Sequence, residues 1–87
     1  MKVIDLKDIT RKDSAVYYRR YFSARAVLDL PGGAAEAPVE FAIETSPLSQ
    51  KTVTVKVDGQ VDYPLLPVIN ELKALVLSRD EAGALPL

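Results

Sequence analysis

The sequence SAVYYRRYFSARAVLDL, residues 14–30, alternates between two kinds of side chain. In an extended strand, residues two apart in sequence share one face of the sheet. Seven of the eight even positions are apolar: Val16, Tyr18, Phe22, Ala24, Ala26, Leu28 and Leu30. Arg20 is the exception, and the odd positions are mixed and mostly polar. This pattern predicts a long strand with its even positions, Tyr18 and Phe22 among them, toward the core.

A helix is the alternative for the same residues. Asp13 or Ser14 could cap it, and a stripe at helical spacing would hold Tyr17, Tyr21, Ala24 and Leu28. The alanines favour that helix, whereas the valine, tyrosine and phenylalanine content favours a strand. We adopt the strand, with a bend or bulge expected near Ser23.

Two further strands follow, over residues 39–44 and 52–58. Val39, Phe41 and Ile43 alternate with polar or small residues, and so do Val53, Val55 and Val57. The residues between the two strands suit a hairpin loop. Pairing Thr45 with Lys51 sets all the apolar positions opposite one another. The same register places Glu40 opposite Lys56 on the other face, so both faces support it.

The remaining segments complete the predicted order of elements. Residues 1–9 predict a short strand that ends in a turn at residues 10–13. Residues 31–38 begin with Pro-Gly-Gly and end in a proline, which predicts a flexible connection. Near the end of the chain, apolar residues at helical spacing predict a helix. It would be capped by Asp62 or Tyr63 and would end near residues 79–81, with Gly83 just beyond it.

These elements predict one α+β domain over residues 1–87. Its architecture is two-layered: an antiparallel sheet of about four strands, with one C-terminal helix packed on one face, in the order β-β-β-β-α. The apolar tail after the helix should pack back on this body.

The composition excludes several kinds of chemistry. The chain has no cysteine and no histidine, so it lacks a thiolate nucleophile, a zinc–thiolate site and the usual base near neutral pH. No Gly-rich phosphate loop occurs. We therefore predict a non-enzymatic protein with no cofactor, no metal and no small-molecule substrate.

The distribution of charge and hydropathy bears on partners and location. Residues 1–30 carry seven basic and four acidic side chains, whereas residues 31–87 carry four basic and eight acidic ones. The net charge of −1 is unlike that of a typical duplex-DNA binder. Apolar runs are short, and Asp5 and Asp8 interrupt the first segment where a signal peptide would be apolar. We expect a cytoplasmic protein with no membrane span.

One helix covers one face of the predicted sheet and leaves the other, which we call the open face. Its members would be Tyr17, Arg19, Tyr21, Arg25, Val27, Glu40, Ala42, Glu44, Thr52, Thr54 and Lys56. If Leu28 pairs with Phe41, Arg25 falls opposite Glu44, and the unfavourable pair Asp29 and Glu40 also arises. In that structural interpretation the charges pair within the sheet.

Two functional interpretations of the open face remain. Tyrosine and arginine are enriched where proteins contact proteins, so the face suits a protein partner or a second copy of the chain, most simply a homodimer. Its residues would be Tyr17, Arg19, Tyr21, Arg25 and Glu44. The alternative is a single-stranded nucleic acid, stacked on the tyrosines and held by the arginines. Leu66 and Leu77 on the helix form a second possible contact patch.

Overall fold

A computed structural model describes residues 2–14, 18–58 and 64–86. Its elements are β1 (Lys2–Lys12), β2 (Arg19–Leu30), β3 (Gly33–Thr45), β4 (Lys51–Val57) and α1 (Leu65–Glu81). The strands form one antiparallel sheet in the order β1-β2-β3-β4, so each strand pairs with its neighbour in the chain. The predicted α+β class and the order of elements are confirmed. None of the helical residues described forms a helix long and apolar enough to cross a membrane.

The alternation along residues 14–30 does produce a strand, and the helix alternative is wrong. Phe22, Ala24, Ala26 and Leu28 are buried on the face of the sheet that meets α1, which we call the covered face. Tyr18 is a correction, because 47% of its surface is exposed. The strand begins only at Arg19, so the alternation does not extend to Tyr18. The predicted positions of Val16 and Tyr17 lie outside the described residues.

The connection between β2 and β3 is much tighter than predicted. Leu30 pairs with Gly33, which leaves only Pro31 and Gly32 in the turn, and residues 33–38 belong to β3. Gly33 has φ +124°, a conformation that glycine adopts without the steric cost of a side chain. The short turn moves the register by six residues from the predicted one.

The corrected register changes which residues face one another. Phe22, rather than Leu28, pairs with Phe41, and their rings stack with centroids 5.0 Å apart. Because six is an even number, the same residues still face the core. The predicted pairs Arg25–Glu44 and Asp29–Glu40 are therefore wrong.

The β3–β4 hairpin has the predicted register throughout. Thr45 pairs with Lys51, Phe41 with Val55, and Glu40 with Lys56. Hydrophobic alternation on both strands therefore determined this pairing, as expected for an antiparallel pair with one buried face.

β1 is longer and less regular than predicted. It continues to Lys12, so the expected turn at residues 10–13 is wrong. Its register against β2 shifts between Val3 and Asp5 and again between Lys7 and Thr10. Asp8 in the second shift has φ 54°, which marks a bulge. The irregularity expected near Ser23 thus belongs to the strand opposite it.

α1 packs its buried side chains Val68, Leu72 and Val76 on the covered face. The helix ends where predicted: Gly83 has φ +69°, and the amides of Gly83 and Ala84 donate to the carbonyls of Asp80 and Arg79. This double bond pattern closes the helix as a Schellman motif. Leu85 then returns to the core, as the apolar tail predicted. The predicted capping residues, 62 and 63, lie outside the described residues.

Arg20, the exception on the covered face, is explained by Asp80 in the last turn of α1. Both guanidinium Nη atoms donate to the Asp80 carboxylate, at 2.9 and 3.1 Å, and Lys51 Nζ donates to it at 2.6 Å. The bonds from Arg20 hold the pKa of Asp80 below its usual value, with Lys51 adding to the effect against the opposing influence of burial. A carboxylate near a helix C-terminus is otherwise unfavourable, and these two cations compensate for it.

Candidate functional site

The open face places four of the five predicted contact residues on two adjacent strands. Arg19, Tyr21 and Arg25 lie on β2 and Glu44 lies on β3, whereas Tyr17 is outside the described residues. Arg19 is the residue opposite Glu44 in the sheet, and Arg25 lies opposite Pro38. The residues were predicted on the correct face, but the arginine assigned to Glu44 was wrong.

Arg19 is held by two neighbours. Its Nη1 atom donates to Glu44 Oε2 at 3.2 Å, and its guanidinium carbon lies 5.3 Å from the centroid of the Tyr21 ring. The second contact has the geometry of a cation–π interaction. Its Nε atom is buried and has no hydrogen-bond partner among the described residues. The guanidinium is thus oriented across the centre of the open face.

Arg25 belongs to a second group, six residues along the same strand. Its guanidinium lies 3.8 Å from Glu36 Oε1 and 4.0 Å from Asp8 Oδ2. Glu36 also contacts Lys7 Nζ at 2.6 Å. All four side chains are largely exposed, so these ion pairs contribute little to stability.

Three charged residues of the open face were missed by the sequence analysis. Lys7 and Lys12 come from β1, and Glu36 comes from the segment predicted to be a flexible connection. Lys12 Nζ donates to Glu40, and this hydrogen bond holds the pKa of Glu40 below its usual value, with the Lys56 charge adding to the effect. The alternation of Ala35 and Ala37 with Glu36 was a signal that could have extended β3.

Charge on the open face is arranged in rows. Glu36, Glu40 and Glu44 occupy every second outward position of β3. The bases of β1 and β2 lie on one side of this acidic row, and Lys56 of β4 lies on the other. Ion pairs connect the acidic row to the bases of β1 and β2. The surface therefore presents both signs of charge in a regular order.

A shallow depression of about 170 Å³ lies within these rows, lined by Tyr21, Arg19, Lys12, Glu40 and Lys56 among others. Its tyrosine ring and aliphatic side-chain stems give it apolar area, and its rim is charged. This combination of an aromatic centre and a polar rim is common in protein–protein contacts.

A larger depression of about 730 Å³ lies at the end of the sheet, beside Tyr18, Arg20 and the loop between β3 and β4. Its charged lining groups already have partners: Arg20 bonds to Asp80, and Glu44 bonds to Arg19. It lacks the rows of charge that distinguish the open face.

The fold and site together define a small α+β protein: a four-stranded antiparallel meander with one covered face and one charged open face. Residues 1–81 match the BB_0187 family, and the chain belongs to that family. No curated protein and no solved structure matches the chain significantly.

Proposed function

We propose that the chain is a small, non-enzymatic interaction module of the cytoplasm, which binds a protein partner or a second copy of itself through the open face. The observation that carries the proposal is the arrangement of paired charges around Tyr21. A surface with ordered rows of both signs can exchange its internal ion pairs for pairs across an interface. Tyr21 and Arg19 are the types of residue that contribute most to such contacts.

A second copy is a natural partner for this pattern. Two-fold symmetry brings the same patch of each copy together, so the acidic row on β3 of one copy can meet the bases of the other. We therefore propose a homodimer as the simplest assembly.

Pairing of the charges disfavours the nucleic-acid alternative. Arg19, Lys12 and Arg25 each have a carboxylate within 4.0 Å. Binding to phosphates depends on uncompensated positive charge, because it is driven largely by the release of counterions. On this face, a phosphate would compete with a carboxylate for each of these bases.

Two tyrosines of the same chain provide the test. Tyr21 lies on the open face and Tyr18 lies outside it, so hydroxyl-radical labelling of Tyr18 is an internal control for labelling of Tyr21. We expect Tyr21 to become protected relative to Tyr18 when the protein is concentrated or when cell extract is added. Sedimentation equilibrium of Tyr21→Ser, with Tyr18→Ser as the matched control, should show a weaker assembly by about tenfold or more.

Other outcomes have clear meanings. A ratio of Tyr21 to Tyr18 labelling that stays constant in concentrated protein and in extract would contradict the proposal. Protection by extract that disappears after nuclease treatment would support the nucleic-acid alternative instead.

A further inference from the structure

The two edges of the sheet differ in regularity. β1 forms one edge, and its two register shifts and the left-handed backbone of Asp8 interrupt it. β4 forms the other edge and pairs with β3 from Lys51 to Val57 without a shift. Bulges are a device by which proteins prevent an edge strand from pairing with another chain. β1 carries that protection, and β4 does not.

The hydrogen bonds at the two ends of the β3–β4 pair show which backbone groups of β4 face outward. The amide of Ser46 donates to Gln50 at 2.8 Å, and the amide of Asp58 donates to Pro38 at 2.8 Å. Hydrogen-bonded pairs alternate along an antiparallel ladder, so Thr52, Thr54 and Lys56 bond to β3. The N–H and C=O groups of Lys51, Val53, Val55 and Val57 therefore point away from β3. No strand within the described residues pairs with them.

We propose that β4 of a second copy pairs with this edge in antiparallel orientation, with Thr54 facing Thr54 of the second copy. In this register all seven residues of β4 are paired, and the outward-facing groups of Lys51, Val53, Val55 and Val57 bond to each other across the two-fold axis.

The sequence of β4 is self-complementary in this register. Thr52 faces Lys56 of the second copy, and Lys51 faces Val57, so no two like charges are opposed. Pairing of β4 with β1 of another copy would meet the two bulges, which interrupt the ladder. A symmetric pair also uses up both β4 edges and closes the assembly, whereas the unlike pairing could continue without limit.

The helix adds an apolar contact beside the same edge. Leu66, Lys73 and Asp80 are spaced by seven residues and so lie on one stripe of α1. Asp80 contacts Lys51 of β4, which places this stripe on the β4 side of the helix. Leu66 is 69% exposed there, in contrast to Leu77, which packs partly against the core and is a correction to the predicted patch. Contact between the two helices would cover Leu66.

This pairing differs from association through the open face. It joins two sheets edge to edge into one of eight strands and leaves both open faces uncovered on the same side of the assembly. Either surface could bind while the other did not.

Charge exchange at Thr54 tests the proposed register. Thr54→Lys and Thr54→Glu each place like charges at the two-fold axis, and we expect each variant alone to weaken dimerisation by about tenfold or more in sedimentation equilibrium. An equal mixture of the two variants should recover a heterodimer, because the introduced lysine of one chain meets the introduced glutamate of the other only if the two positions are opposed. Thr54→Ser is the matched control and should dimerise like the wild type.

Amide hydrogen exchange in the wild-type protein separates edge pairing from open-face association. In dilute protein, the amides of Val53, Val55 and Val57 should exchange fast, and those of Thr52, Thr54 and Lys56 slowly. In concentrated protein, all six should exchange slowly, while Tyr21 remains open to labelling if the edge alone is paired. Fast exchange of the three valine amides in concentrated protein would overturn the proposal, and so would a mixture of charged variants that stays monomeric.

Discussion

Arg19 and Arg20 are neighbours in the chain, yet they lie on opposite faces of the sheet and meet different surroundings. Arg20 on the covered face donates two hydrogen bonds to Asp80, whose side chain is only 8% exposed. Arg19 on the open face donates one to Glu44, whose side chain is 44% exposed. The first ion pair fixes the helix to the sheet. The second can be replaced by contacts with a partner, because solvent already screens it.

The largest expected difference between the faces concerns adjacent aromatic residues of β2. Phe22 is 1% exposed and stacked on Phe41, so Phe22→Ala should reduce the free energy of unfolding by about 3–5 kcal/mol. Tyr21→Ala on the open face should cost only about 1 kcal/mol, the span of strand propensities. Urea denaturation followed by circular dichroism measures both. Equal losses would contradict the assignment of the two faces.

The ion pairs of Asp80 should give the next largest effect. Asp80→Asn leaves Arg20 and Lys51 without their carboxylate, and we expect a loss of about 1.5–3 kcal/mol in the free energy of unfolding. Glu81→Gln is the matched control: it makes the same kind of change at the next residue, which is exposed, and should alter stability by less than about 0.5 kcal/mol.

The same residue sets part of the acid sensitivity of the fold. The pKa of Asp80 is lower in the folded chain than its usual value of 3.8, so the unfolded chain binds protons first as the pH falls. The contribution of Asp80 to stability is therefore complete above about pH 4 and decreases as the pH falls through the folded pKa. Asp80→Asn should show a shallower decrease in the free energy of unfolding over this range. A slope remains, because hydrogen bonds from Arg79 and Leu6 also lower the pKa of Asp5.

The smallest expected effect is on the open face itself. A double-mutant cycle with Arg19→Ala and Glu44→Ala should give a coupling energy below about 1 kcal/mol, and added salt should reduce it. A coupling as large as that expected for Asp80 would show that Arg19 is as firmly held as Arg20. The open face would then have less freedom to exchange its ion pairs for a partner.

Local patterns predicted the elements well, and errors arose where a turn set the register. On β3 and β4, alternation of valine, phenylalanine and isoleucine with polar residues was enough to pair the strands correctly. On β2 and β3, residues 31–38 resembled a loop because glycine and proline frame them. Ala35 and Ala37 are in phase with Val39, but alanine is a weak strand signal, so the extension of β3 was missed.

Contacts between distant parts of the chain were beyond sequence patterns. Arg20 stood out as a charge among core positions, but its partner lies 60 residues away on the helix. The two bases that β1 adds to the open face depended on a strand that continues through two bulges, which shift the alternation. The candidate site was therefore predicted in its β2 and β3 residues and missed in those of β1.

The order of the strands also has a consequence for the time course of folding. Every strand pairs with its neighbour in the chain, and the turns after β2 and β3 contain two and five residues, so the loops to be closed are short. The contacts of α1 with Arg20 and Asp5 instead join residues 60 and 74 positions apart. The meander can form before the helix docks, and the ion pairs of Asp80 then form late. Such contacts act mainly by slowing unfolding, so the last residues of α1 would govern how long the folded chain persists rather than how quickly it forms.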